Sequence, residues 1–76
     1  MPGQFGIVIA NIRLNTLEEL AGQIAAKVAP GGRLVLSGLL SAQGDAAEQA
    51  YLAQGLRALG RKERQGWIRV ELERAS

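Results

Sequence analysis

The sequence contains neither cysteine nor histidine. Without thiols it can hold no disulfide framework and no thiolate metal site. Without imidazole it can build no histidine-dependent triad or zincin site, and it has no side chain whose ordinary pKa suits a near-neutral proton shuttle. Aromatic residues are scarce as well: Phe5, Tyr51 and Trp67 are the only three, too scattered to form a base-stacking platform. No apolar run approaches the length that crosses a bilayer, and no charged-then-apolar signal segment opens the chain. A soluble, cytoplasmic protein with no membrane partner is therefore expected. Also missing is a glycine-rich loop running from a strand into a helix. Such loops aim helix N–H groups at phosphates. Gly31-Gly32 runs the other way, from helix to strand, and reads as a turn.

What is present is globular. Seventy-six residues, 47% hydrophobic and 21% charged, predict one small domain over residues 1–76. A chain of this size buries only about 60% of its unfolded surface and is marginal alone. Phe5–Ile12 and Arg33–Leu40 are apolar at nearly every position, which predicts strands covered on both faces, as in a parallel sheet. Between them Leu17, Leu20, Ala21, Ile24, Ala25 and Val28 form one helical stripe, which predicts a helix over 17–28. Thr16 with Glu19 reads as its capping box, and Pro30 stops its continuation. A second box, Asp45 with Glu48, predicts a helix to about Gln54 with Gly55 as its stop; Ser41 offers an earlier start. Leu56–Arg64, Gln65-Gly66 and Trp67–Arg74 read as an antiparallel hairpin. Its last strand alternates Ile68, Val70 and Leu72 against Arg69, Glu71 and Glu73.

Few residues carry chemistry. Glu18 and Glu19 diverge by about 100° on a helix and cannot converge on one substrate, so capping explains them better. Ser37 has no histidine to activate it, and with Gly38 is better explained by tight packing. Asn11 is the polar residue at the carboxyl end of an otherwise apolar strand, the edge where open α/β sheets bind ligands. An amide there positions an amine rather than moving a proton. The competing reading is an asparagine that hydrogen-bonds the following loop, and position alone favours it. The basic residues Arg57, Arg61, Lys62 and Arg64, with Arg69 and Arg74 beyond, are interrupted by Glu63, Glu71 and Glu73. A net charge of +2 and this interruption argue for a solvated hairpin edge rather than a nucleic-acid surface.

The order of these pieces resembles a known family. Ile7–Ile12, then Leu17 with Glu19-Leu20-Ala21, then Ala29–Leu40 look like the C-terminal half of PrmA-type ribosomal-protein methyltransferases. Gln43, Ala50-Tyr51, Gly55 and Trp67 continue the likeness in register. The resemblance implies an α/β fold, half of a Rossmann-like methyltransferase sheet in the order β-α-β-α-β-β. The last strand would lie antiparallel between its neighbours and both helices on one face. It implies amino-group methylation of a ribosomal protein with S-adenosylmethionine as donor, and it gives Asn11 a role in positioning the amine and the donor at the catalytic pocket. The family's glycine-rich donor loop and acidic ribose-binding residue match no part of this sequence, so no cofactor-binding residue is assigned and the isolated chain is expected to bind no donor and to be inactive alone. A half-sheet with helices on one face leaves the other face bare, while Ile7–Ala10 and Leu34–Leu36 are apolar throughout. The expectation is a homodimer or higher assembly through Ile7–Ile12 and Leu34–Leu36, or pairing with a complementary N-terminal half. The alternative functions are a self-associating interaction module and, more weakly, a small nucleic-acid binder using Arg57–Arg64.

Overall fold

The two apolar segments expected to be strands pair side by side and in parallel. The structure, a computed structural model, describes residues 4–75, so the expected domain 1–76 extends past the described residues at both ends. Strand β1 (Phe5–Asn11) pairs with β2 (Val28–Leu40). Strands β3 (Arg57–Arg64) and β4 (Trp67–Glu73) form the hairpin, closed by the two-residue turn Gln65-Gly66 with φ of 53° and 85°. Positive φ at both positions matches the twist of the flanking strands. The sheet order is β1-β2-β4-β3, with β4 antiparallel to both neighbours. Half of a methyltransferase-type sheet was the sequence expectation, and this is its topology.

Helices α1 (Leu14–Glu19), α2 (Ala21–Ala26) and α3 (Gly44–Leu52) pack on one face of that sheet. Leu17, Ala21 and Ala25 meet Ala47 and Tyr51 over Val28, Leu34, Leu36, Leu39, Ile68, Val70 and Leu72, forming a single core. Two parallel connections that advance in the same direction with the same hand put their helices on the same side. The Tyr51 hydroxyl donates to the Leu17 carbonyl at 2.8 Å, and burial pushes the phenol pKa up to about 12. In an unbroken helix that carbonyl would serve Ala21. Here the helix breaks at Leu20 (φ −98°, ψ 12°), so one expected helix becomes two.

Neither expected capping box forms. The first helix begins at Leu14, ahead of Thr16, because Leu14 packs against the core one turn before Leu17. Thr16 N–H is instead taken by Asn15 Oδ1 at 3.0 Å. A 3-10 turn, Ser41–Gln43, leads into α3, and Gln43 Oε1 accepts from the Leu40 N–H at 2.9 Å. The carboxylates of the second box face β3: Asp45 Oδ1 and Glu48 Oε1 hold Arg61 at 2.7 and 3.0 Å. Those pairs, Glu48 foremost, hold the guanidinium above its already high pKa. Tertiary partners outcompete the local caps in both helices.

Strand β2 starts five residues before the expected Arg33, because Val28 already pairs with Phe5. Pairing resumes at Ile7 with Arg33, so Ala29–Gly32 is an excursion inside the strand. A Cβ at Gly32 would approach the Ala29 carbonyl oxygen at 2.8 Å and those of Gly6 and Phe5 at 3.0 Å, which only glycine tolerates. Gly31 N–H donates to the Arg74 carbonyl, and Arg74 Nε and Nη2 reach the Val28 and Ala25 carbonyls at 2.8 and 2.6 Å. Arg74 therefore caps the end of α2 rather than solvating an edge.

The bare face is partly as expected. Ile7 and Ile9 are 60% and 67% exposed, and Phe5 is exposed beside them. Leu34 and Leu36, expected at a partner interface, are instead fully buried beneath the helices. Period-two alternation turns only Val35, which is half-buried, to the other side.

Candidate functional site

The carboxyl ends of β1 and β2 meet at Asn11, paired in register with Ser37. Just beyond, the sheet carries a bulge. Leu36 pairs with Val70 and Leu39 with Ile68, so Ser37 and Gly38 share the place opposite Arg69. One extra residue keeps both Leu36 and Leu39 in the core and turns Leu40 outward. Gly38 has φ +78°, and a Cβ there would overlap Asn11 Oδ1. The glycine thus serves two purposes: it permits the left-handed backbone and it leaves the space that the Asn11 amide occupies.

Asn11 is exposed at this edge. It lines neither neighbouring depression, but Gly38, against which it rests, lines both. One depression, about 420 Å³, lies over the helix side, among Arg13, Asn15, Glu18, Leu40, Gln43 and Trp67. The other, about 300 Å³, lies toward the hairpin, where Ser37, Lys62, Arg64, Trp67 and Arg69 gather. An exposed amide held by a bulge can accept from an amine N–H and donate to an acceptor. It cannot act as a base.

Of the residues singled out in sequence, Asn11, Ser37 and Gly38 are brought together here. Gly31-Gly32 sits at the opposite end of β2, bonded to the Arg74 backbone, and is structural. Arg57 is taken by Glu73 (Nε–Oε2 2.6 Å), Arg61 by α3 and Arg74 by carbonyls, so the basic stretch is not one patch. Trp67 and Leu40, direct cross-strand partners at the rim, were not anticipated as part of the site. The alternation of β4 carried the signal for Trp67, two residues before Arg69 on the outward face. Leu40 could not be assigned without the bulge. Among the described residues no helix is long and apolar enough to cross a membrane, and no group of acidic residues could hold a metal ion.

Comparison with known proteins bears on what this edge belongs to. The family described as ribosomal protein L11 methyltransferase (PrmA) matches residues 2–75. The ribosomal protein L11 methyltransferase of Brucella suis is 44% identical over 69 residues, 91% of this chain and 24% of the relative. That of Chromohalobacter salexigens is 45% identical over 64 residues, 84% of this chain and 21% of the relative. The chain thus spans less than a quarter of the curated relatives it matches. Among solved structures, a ribosomal protein L11 methylase from Lactobacillus delbrueckii subsp. bulgaricus superposes with a TM-score of 0.85 at 24% identity, over 97% of this chain and 38% of that one. A putative methyltransferase from Thermoplasma acidophilum gives 0.79 at 16% identity, over 100% of this chain and 41% of that one. These two show the shared fold. The match over nearly the whole sequence carries the relationship further: this chain belongs to the ribosomal protein L11 methyltransferase (PrmA) family.

Proposed function

We propose that these residues supply the amine-positioning wall of an S-adenosylmethionine-dependent protein methyltransferase site and hold no methyl donor by themselves. The observation that carries this reading is the Asn11 amide, exposed at the carboxyl edge and packed where only glycine fits at position 38. Asn11 accepts from the N–H of a substrate amine and so fixes the direction of the nitrogen lone pair. Gly38 fixes Asn11. Bound in the complete site, S-adenosylmethionine supplies the electrophilic methyl group. The described residues fit the amine side of that group and offer no backbone cradle for its nucleoside, because the glycine pair lies at the far end of β2. Holding reactants in line accounts for much of an enzyme's advantage, so one wall alone gives little turnover.

The test joins this chain to the remainder of a ribosomal protein L11 methyltransferase and measures methyl transfer to a ribosomal protein. Asn11→Ala should lower kcat by tenfold or more, about the effect of losing a positioning hydrogen bond, with little change in folding stability. Equal losses of activity and stability return Asn11 to a structural role. Titration of the isolated chain with S-adenosylmethionine should show no saturable heat; micromolar binding would overturn the donor-free part of the reading.

A second reading is favoured by the bare sheet face. Phe5, Ile7 and Ile9 are exposed on an edge strand, a combination that soluble monomers rarely leave uncovered. A second copy or a complementary half would cover it, making self-association the property of the isolated chain.

A further inference from the structure

We propose that the outward face of the β3–β4 hairpin is an anion-binding groove that takes carboxylate side chains of an acidic polypeptide segment. Its walls are Ser37, Gly38, Lys62, Arg64, Trp67 and Arg69, around about 300 Å³. Lys62 lies directly opposite Arg69 and Arg64 directly opposite Trp67. Like charges facing each other across a strand pair destabilise it, so folding gains nothing from this placement and a bound anion would relieve it. The other cations near the hairpin are already engaged. Arg57 pairs with Glu73, Arg61 with Asp45 and Glu48, and Arg74 with carbonyl oxygens. Among the described residues neither Lys62 nor Arg64 has a carboxylate within ion-pairing distance, and Arg69 meets only Glu71, at 3.2 Å. Glu63, sitting between Lys62 and Arg64, points to the other face opposite Ile68.

The groove therefore concentrates a small surplus of positive charge beside a half-exposed indole. Trp67, 53% exposed, gives an apolar wall for the methylenes of a glutamate side chain. Two or three cations suit one or two carboxylates. A nucleic acid would need a longer cationic track and more stacking surface than one tryptophan offers. The inference rests on the amine-positioning reading above. Gly38 belongs both to this groove and to the packing of Asn11, so a chain crossing Gly38 would present its amine at Asn11 and flanking carboxylates to the hairpin.

Trp67 is the only tryptophan and lines this groove, so its emission in the full chain responds to occupancy, and the Lys62 and Arg64 variants separate the groove from the neighbouring depression that Trp67 also lines. The probes are a blocked peptide with one lysine flanked by glutamates, the same peptide with glutamines, and an oligouridylate. The glutamate peptide should shift the emission saturably at low ionic strength, weaken with salt, and bind about tenfold tighter than the glutamine peptide, as expected for two exposed ion pairs acting together. Lys62→Gln with Arg64→Gln should remove that preference, Lys62→Arg with Arg64→Lys should restore it, and Asn11→Ala should leave it within about twofold. Equal binding of the two peptides, or tighter binding of the oligouridylate, overturns the proposal. A carboxylate preference that persists while methyl transfer ignores Asn11→Ala would sink the amine-positioning reading and leave the groove standing. The reverse pattern would sink the groove alone.

Discussion

Gly38→Ala tests the geometry on which the site depends. An L-residue held near φ +78° costs about 1–2 kcal/mol relative to glycine. The new Cβ must also displace Asn11 Oδ1, the end of a rotatable amide, and driving that side chain from its position adds about 0.5–1.5 kcal/mol. The sum, about 1.5–3.5 kcal/mol, is a large share of the ~4–11 kcal/mol typical for a chain of this length. With a urea m-value of about 1 kcal/mol/M, the midpoint should fall by about 1.5–3.5 M. Urea unfolding followed by Trp67 emission reads it, in the wild type and in an Asn11→Ala background. With alanine at position 11 the crowding is gone and the loss should shrink to the backbone part, leaving a coupling of about 0.5–1.5 kcal/mol. Identical losses in both backgrounds would show that the amide does not rest against Gly38. Losses below about 0.5 kcal/mol in both would show that the left-handed bulge is not formed.

Tyr51 makes stability depend on alkaline pH. Its phenol titrates near 10 when unfolded and at about 12 in the fold because burial disfavours the phenolate, so this group leaves stability unchanged below pH 10 and lowers it as pH rises from 10 to 12. Tyr51→Phe should cost about 1 kcal/mol at neutral pH and flatten that decline; urea midpoints from pH 8 to 11 decide it, and an unchanged slope refutes the burial argument. Light scattering of the isolated chain at micromolar concentration should report a dimer or larger species, which Ile7→Lys with Ile9→Lys converts to monomer. A monomeric wild type would overturn the self-association reading.

The sequence by itself determined the elements and their kinds. The apolar runs at 5–12 and 33–40 read as strands and form strands, although the first leaves Ile7 and Ile9 on an open face rather than covered on both sides. The stripe from Leu17 to Ala25 reads as a helix face and its members are buried or half-buried, whereas Val28, read as the last member of that stripe, is instead the first residue of β2. Alternation in 67–73 sorted inward Ile68, Val70 and Leu72 from outward Arg69 and Glu71, and the extent of the first apolar run placed Asn11 at the carboxyl end of β1. Where partners lay far along the chain, local pattern was silent. Thr16, Asp45 and Glu48 looked like caps because capping depends only on neighbours in sequence, yet Leu14 found the core and Arg61 found both carboxylates. The bulge at Ser37-Gly38 exists because β4 sets the register opposite it, and that single extra residue decides which leucine is buried and what Asn11 packs against. The hairpin's charges were legible as residues but not as pairs. Only folding brings Arg57 to Glu73 and Arg74 to the end of α2, leaving Lys62, Arg64 and Arg69 together beside Trp67. Periodicity fixes which way a side chain faces; distance across the fold decides what it meets.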